Sequence, residues 1–583
     1  MYQFGENQTI EHKWSDNDDV QLSQLYFQLV RSNDLEILES KYRGLLNKKD
    51  KNLMPYLYKL IAQTRDITQG KGEYNLSFML LAEWVLLGEE YLPAVYNALD
   101  LFIEIKNAHP YGCWKDLNYF CEYLCIKKAY VTKDYELVDY CCEKIANQLY
   151  ADDHIDNPTL CAKWAPREHS RFGWMVLIIS KKLVKLNRIN NLNKNQSIRL
   201  YRKTCSRINK KLDTTQIKQC GRSWSDIDFN KVTSITMRKQ ARAFMYYPEN
   251  CLDKYNVDRK ICSDNYKRFI ESRVKGNQTI KGGRVGFYDF VKDALDIDEV
   301  CEDEETQKLK QVLNLQWKDH QKQNKKLNNM ITMVDVSASM EDDRCIPLYN
   351  AIGLGIRISE LSTKFKDEII TFTSYPSIVK LDDCDNFVDK VHKVRSIEWG
   401  GFTNFEAALD LILEKCVTEK TPVEEVKDIV MCVLSDMQID DAVTIESKTM
   451  FDLIRTKYKT FGYEMPTILF WNLRQTNGFP STTTQENVIM VSGYNSALLN
   501  AFSEKGIDAF KEITPFKMVK DILNNPRYDL MNIEKFVDNV DEKIELDPEL
   551  PPSRMNYYII QISLGMLTFL CLRYFLILLI IVM

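Results

Sequence analysis

The hydrophobic period of this chain changes once, at Asn328, and that change constrains the fold more than any other feature. From about residue 20 to 290, apolar side chains return at intervals of three and four. Leu22, Leu25, Tyr26 and Leu29 form one stripe, and Leu53, Tyr56, Leu57, Leu60 and Ile61 another. Polar breaks such as Thr68-Gln69-Gly70-Lys71-Gly72 separate the stripes, and strand-like alternation is nearly absent. The spacing predicts an array of helices that bury their stripes against neighbours, without a fixed sequence repeat. After Asn328, apolar runs alternate with amphipathic segments. Strands are expected over 330–336, 368–372, 377–381, 428–434, 467–472 and 487–491, and helices over 345–361, 405–416 and 445–458. This order predicts a mostly parallel, doubly wound α/β sheet covered on both faces, with ligands at the carboxyl ends of its strands.

With 583 residues, 45% of them hydrophobic, the chain has enough apolar material for more than one core, which excludes a disordered or low-complexity protein. The net charge of -5 excludes a uniformly basic coat, but it is a sum of opposites. Residues 181–220 carry twelve Lys and Arg against the single acid Asp213, whereas 296–305 carry seven acids and no base. The acidic run reads as a solvated connector, followed by a polar helix over 306–327 that contains Trp317. Sixteen cysteines without a CxxC pair or a Cys/His ligand spacing point to a reduced cytosolic or nuclear protein. Met1 to Trp14 contain Glu6, Glu11, His12 and Lys13 and no apolar run, so no secretory leader is expected. The expected division is a helical domain at 1–290, a connector at 291–328, an α/β domain at 329–530, a linker at 531–554 and a hydrophobic tail at 555–583.

The chemistry concentrates where the first predicted strand of the α/β domain stops, at Met333-Val334-Asp335-Val336-Ser337-Ala338-Ser339-Met340. A carboxylate and two hydroxyls at alternate positions present hard oxygen ligands suited to Mg²⁺ or Mn²⁺. Gly400-Gly401-Phe402-Thr403-Asn404 offers another hydroxyl from a tight loop, and Val433-Leu434-Ser435-Asp436 places a second carboxylate at the end of another apolar strand. No GxxxxGK[ST] loop, HExxH or GxSxG occurs, and none of the six histidines lies near another in sequence. His320 and His392 fall in polar helices, where a surface position is expected. The sequence thus supplies ligands for a cation and no nucleophile or base beside it, and a non-enzymatic protein is expected.

These three segments together resemble the metal-ion-dependent adhesion site of von Willebrand factor A domains. That resemblance implies that Ser337, Ser339 and Thr403 coordinate the metal directly while Asp335 and Asp436 act mainly through water, leaving one position for an acidic group of a protein partner. The segment Thr64-Arg65-Asp66-Ile67-Thr68-Gln69-Gly70-Lys71-Gly72-Glu73 is similar to one in the TROVE module of Ro ribonucleoproteins, a ring of HEAT-like helical repeats closed by a von Willebrand A domain. Further stretches, Tyr111-Gly112-Cys113-Trp114-Lys115-Asp116, Ala162-Lys163-Trp164-Ala165-Pro166-Arg167-Glu168, Phe470-Trp471-Asn472-Leu473-Arg474 and Val491-Ser492-Gly493-Tyr494, resemble an uncharacterised family of eukaryotes and large DNA viruses with the same two-part layout. Trp114, Trp164 and Trp471 are expected to anchor the core. Arg65, Asp66, Lys71 and Glu73 are expected to form a charge network at a helix end.

The Ro resemblance also implies a test for RNA. Lys181, Lys182, Lys185, Arg188, Lys194, Arg199, Arg202, Lys203, Arg207, Lys210 and Lys211 offer charges for phosphates, and Tyr201 a ring for stacking. The alternative reading of these bases is a solvated helical surface. Finally, residues 555–583 hold one charge, Arg573, and about 20 apolar residues suffice to cross a bilayer, so a membrane anchor with the large domains on the cytoplasmic face is expected.

Overall fold

A computed structural model describes residues 2–4, 10–246, 256–297, 303–327, 329–373, 375–397, 405–437, 450–481, 487–500, 502 and 514–536. The chain forms two units, Met1–Asn532 and Ile533–Met583, and the account below concerns the first.

Most of that unit is helical, and helices follow one another from Asp18–Gln28 to Val257–Lys275. Their apolar stripes face inward: Leu22, Leu25 and Tyr26 of Asp18–Gln28 and Leu57, Leu60 and Ile61 of Met54–Arg65 are buried. Ahead of them lies a two-stranded hairpin, β1 (Tyr2–Phe4) and β2 (Ile10–His12), where sequence periodicity predicts nothing. Three-residue strands span too little of a period to register. The hairpin continues into a bridge between His12 and Phe479, so the N-terminus joins the α/β part directly.

The second half contains a mixed six-stranded sheet of β3 (Met330–Val334), β4 (Glu368–Thr371), β5 (Ile378–Lys380), β6 (Val430–Ser435), β7 (Thr467–Asn472) and β8 (Val488–Ser492). The strand order is β5-β4-β3-β6-β7-β8, parallel throughout except for the antiparallel edge strand β5. Alternate residues serve opposite cores. Val334, Leu434 and Trp471 join Phe287, Trp317, Ile352 and Val391 on one face, while Met333, Val433 and Phe470 join Leu409, Ile412 and Tyr458 on the other. The helix Glu304–Gln321 belongs to the first of these cores. Trp317 stacks on Phe387 with centroids 3.8 Å apart and carries the Arg357 guanidinium 3.8 Å from its ring centre. His320, expected at the surface, is instead 4% exposed and packs against Phe287 and Phe290. Burial, followed by the neighbouring Arg357 charge, brings its pKa down to about 3.

The expected membrane anchor is overturned. No helix among the described residues is long and apolar enough to cross a membrane, and residues 555–583 lie outside the described residues. The C-terminal anchor, the membrane partner and the location on a membrane face are therefore withdrawn. Every cysteine among the described residues is a free thiol.

Candidate functional site

The sheet order places a topological switch between β3 and β6. The chain leaves β3 for β4 on one side and later returns to β6 on the other, which opens a crevice at the carboxyl ends of these two strands. Asp335 immediately follows β3 and Asp436 immediately follows β6, so the two carboxylates face the same crevice, and each is 1% exposed. The Asp335 amide donates to Leu434 O (3.0 Å), which fixes the loop against β6. Asp335 Oδ1 accepts the Ser337 amide (2.9 Å) and Oδ2 accepts the Ser435 hydroxyl (2.6 Å). Ser337 Oγ and Ser339 Oγ lie 3.1 Å apart. The structure therefore brings Asp335, Ser337, Ser339 and Asp436 to one crevice. Thr403 falls in 398–404, outside the described residues.

Two further residues belong to this site. Ser435 orients Asp335, and Arg474, two residues beyond β7, donates to Asp436 Oδ2 through Nε (3.1 Å) and pairs with the same oxygen through Nη2, 3.0 Å away. Arg474 Nη1 also lies 3.7 Å from Asp342 Oδ2 on the exposed rim. The Arg474 amide donates to Asn472 Oδ1 (3.0 Å), which anchors the base of the loop. Burial, and then the Asp436 charge, push the Asp335 carboxyl up to about 7, against the bonds from Ser337 and Ser435. Beyond Ser339, the first turn of the helix Asp342–Leu361 contains three left-handed residues, Asp343, Arg344 and Cys345, with φ of 49°, 64° and 60°. Asn33, from the helical part, donates to Asp343 Oδ1 across this turn (3.1 Å).

The donors suit a hard divalent cation, since two buried carboxylates lie at adjacent strand ends with two hydroxyls beside them. Among the described residues no group of three or more His, Cys, Asp or Glu side chains is arranged to hold a metal ion. A cation here would depend on the serine hydroxyls. Asp335, Ser337, Ser339 and Asp436 would hold it, and it would supply an electrophilic point for an anionic oxygen.

The charged side chains of the motif at 64–73 reach distant partners, while Asp66 also accepts the nearby Thr68 amide. Arg65 pairs with Asp116 through Nη2 (2.6 Å), Asp66 with Arg527 Nη2 (2.7 Å), and Glu73 with Arg31 Nη2 (2.8 Å). Lys71 donates to Tyr26 O (2.6 Å), Leu29 O (3.0 Å) and Ser492 Oγ. Among the three tryptophans, Trp471 is fully buried and donates to Gly493 O (2.8 Å), Trp114 is half-buried, and Trp164 is 38% exposed.

Of the eleven basic residues, ten are exposed and Lys182 is half-buried. Lys182 bonds Asp139 (2.7 Å) and Glu143 (3.2 Å), Arg202 pairs with Glu168 (3.3 Å), Arg207 Nε bonds Asp153 (3.0 Å), and Lys211 donates to Asp153 O (2.8 Å). Lys181, Lys185, Arg188, Lys194, Arg199, Lys203, Lys210 and Lys211 have no ion-pair partner among the described residues. Tyr201, expected to stack a base, is 1% exposed and donates to Pro166 O (2.7 Å), so it is a core residue.

Comparison with known proteins follows the same division of the chain. A family model described as a domain of unknown function, DUF2828, matches residues 142–327, and a second, DUF7788, also a domain of unknown function, matches residues 329–541. The two meet at the residue where the hydrophobic period changes. The chain is also similar to an uncharacterized protein of Acanthamoeba polyphaga mimivirus, 26% identical over 548 residues, which cover 89% of this chain and 88% of the relative. These matches correct the expected family names: the models that match are two domains of unknown function in place of a von Willebrand A and a TROVE family.

Proposed function

We propose that this chain is a non-enzymatic binding protein. Its α/β part holds Mg²⁺ or Mn²⁺ at Asp335, Ser337, Ser339 and Asp436, completed by Thr403, and presents it to an acidic group of a protein partner. The observation that carries this reading is the pair of buried carboxylates, Asp335 and Asp436, at the ends of adjacent parallel strands. The serine pair beside them supports it, and so does the resemblance to a metal-dependent adhesion site. Calorimetric titration of the full chain with MgCl₂ tests it. Saturable binding that disappears in Asp335→Ala and weakens in Thr403→Ala is expected. Absence of Mg²⁺ and Mn²⁺ binding to the wild-type chain would falsify the reading.

A second reading, RNA binding by the basic helices, is favoured by the eight exposed cations that have no ion-pair partner among the described residues. It predicts salt-sensitive binding of a labelled single-stranded RNA to the full chain. Neutralising Lys181, Lys185, Arg199, Lys203 and Lys210 together should abolish that binding, and unchanged affinity in that variant removes this reading.

A further inference from the structure

The residue that ties the crevice to the rest of the molecule is Arg474. Its guanidinium donates through Nε to one oxygen of Asp436, the carboxylate that a metal at this site would share, holds Nη2 3.0 Å from the same oxygen, and turns Nη1 toward Asp342 at the rim. A divalent ion at Asp335 and Asp436 would add two positive charges beside a guanidinium already seated there. At such separations like charges repel strongly in a partly desolvated crevice, and the Arg474 side chain is only 18% exposed. We propose that Arg474 is the resident counter-cation of this site, competing with the divalent ion for Asp436 and so setting how tightly the ion binds. The inference rests on the cation-site reading above.

The competition reaches beyond the crevice because of where Arg474 sits. Its amide is held by Asn472 Oδ1, and the Asn472 side-chain amide donates to Phe27 O (3.1 Å) at the end of the first helix. Gln28, the next residue, donates to Gly478 O (2.8 Å) and accepts the Thr476 amide (2.9 Å). The loop that carries Arg474 is therefore gripped by the helical part on both sides. A cation that loosens Arg474 from Asp436 works against a loop whose base is held by these bonds, so the guanidinium gives way before the backbone.

Mg²⁺ alone is the probe, with affinity measured by calorimetry and the melting temperature of the full chain measured with and without the ion. Arg474→Gln removes the competing charge while keeping a polar side chain, and should bind Mg²⁺ about tenfold more tightly than wild type. Arg474→Lys, which keeps the charge without the fork, should fall between the two and covers the case in which the glutamine variant does not fold. Asp436→Asn should lose binding. Equal or weaker Mg²⁺ affinity in Arg474→Gln, with Asp436→Asn still inactive, overturns the competition and leaves the cation site standing. No binding in any variant, wild type included, rejects the site and the inference together.

Discussion

Lys71 donates a hydrogen bond to Ser492 across 421 residues of sequence, from the segment after the helix Met54–Arg65 to the last residue of β8. The same ammonium bonds two carbonyls at the end of the first helix and lies 4.1 Å from the centre of the Tyr26 ring. Burial holds its pKa well below the usual range, against the pull of Glu73. Lys71→Ala removes all of these bonds and leaves a cavity, so a loss of about 2–4 kcal/mol is expected in denaturant unfolding. Lys71→Met fills the volume without the charge and should lose less.

Asp66 and Arg527 give a sharper test of the same junction. Asp66 is fully buried and accepts from Arg527, from the Thr68 amide (2.9 Å) and from the Tyr528 hydroxyl (3.2 Å). Burial raises its pKa, but Arg527 and Thr68 outweigh burial and hold the carboxyl below its usual range. Arg527→Ala strands that carboxylate and should destabilise by about 3–5 kcal/mol, whereas the double variant Asp66→Asn, Arg527→Ala should recover part of the loss. A strictly additive double variant contradicts this pairing.

Asp335 should give the crevice a pH signature. Its folded pKa, about 7, lies above the ordinary aspartate value of 3.8, so the folded state binds the extra proton between these limits. Stability from this group is therefore fully present below about pH 4 and lost as pH rises through 7. Asp335→Asn should melt above wild type at pH 8 without divalent ions, with the gap closing as pH falls toward 5. A gap that widens toward pH 5 contradicts the assignment.

The crevice also depends on how closely the helix Asp342–Leu361 approaches β3. A Cβ added at Gly355 would sit 2.6 Å from Val334 Cγ2, one residue before Asp335. Gly355→Ala should cost about 1–3 kcal/mol by overpacking, although alanine gains about 1 kcal/mol in helix propensity. Thermal melting of the full chain measures the balance, and a stabilised variant contradicts the close packing.

Sequence patterns revealed the sheet where strands are buried on both faces. β7 runs over the residues its apolar run indicates, because Ile468 to Trp471 have a core on either side. Asp335 and Asp436 were legible for the same reason, since strand ends bound by apolar runs are easy to place. Tyr201 and His320 were misread from their charged neighbours. Their spacing from Ser197, Cys205 and Ile208, and from Leu313 and Trp317, already put them on buried stripes. Arg474 stands out in the sequence only as the end of the Phe470–Arg474 stretch, and its role is not legible there because its pairing with Asp436 arises only once β6 and β7 lie side by side.

Phe27, from the first helix, sits in the same apolar cluster as Met333, Val433 and Phe470 of the sheet. A gene fragment beginning at residue 329 would therefore produce a sheet with a hydrophobic notch where that ring belongs. It would also leave Asn472 and Ser492 without the helix-end carbonyls they bond here. Recombination that exchanges one half of such a chain for another's has to carry the residue 26–29 turn with the sheet, so the two halves are expected to be inherited as a pair.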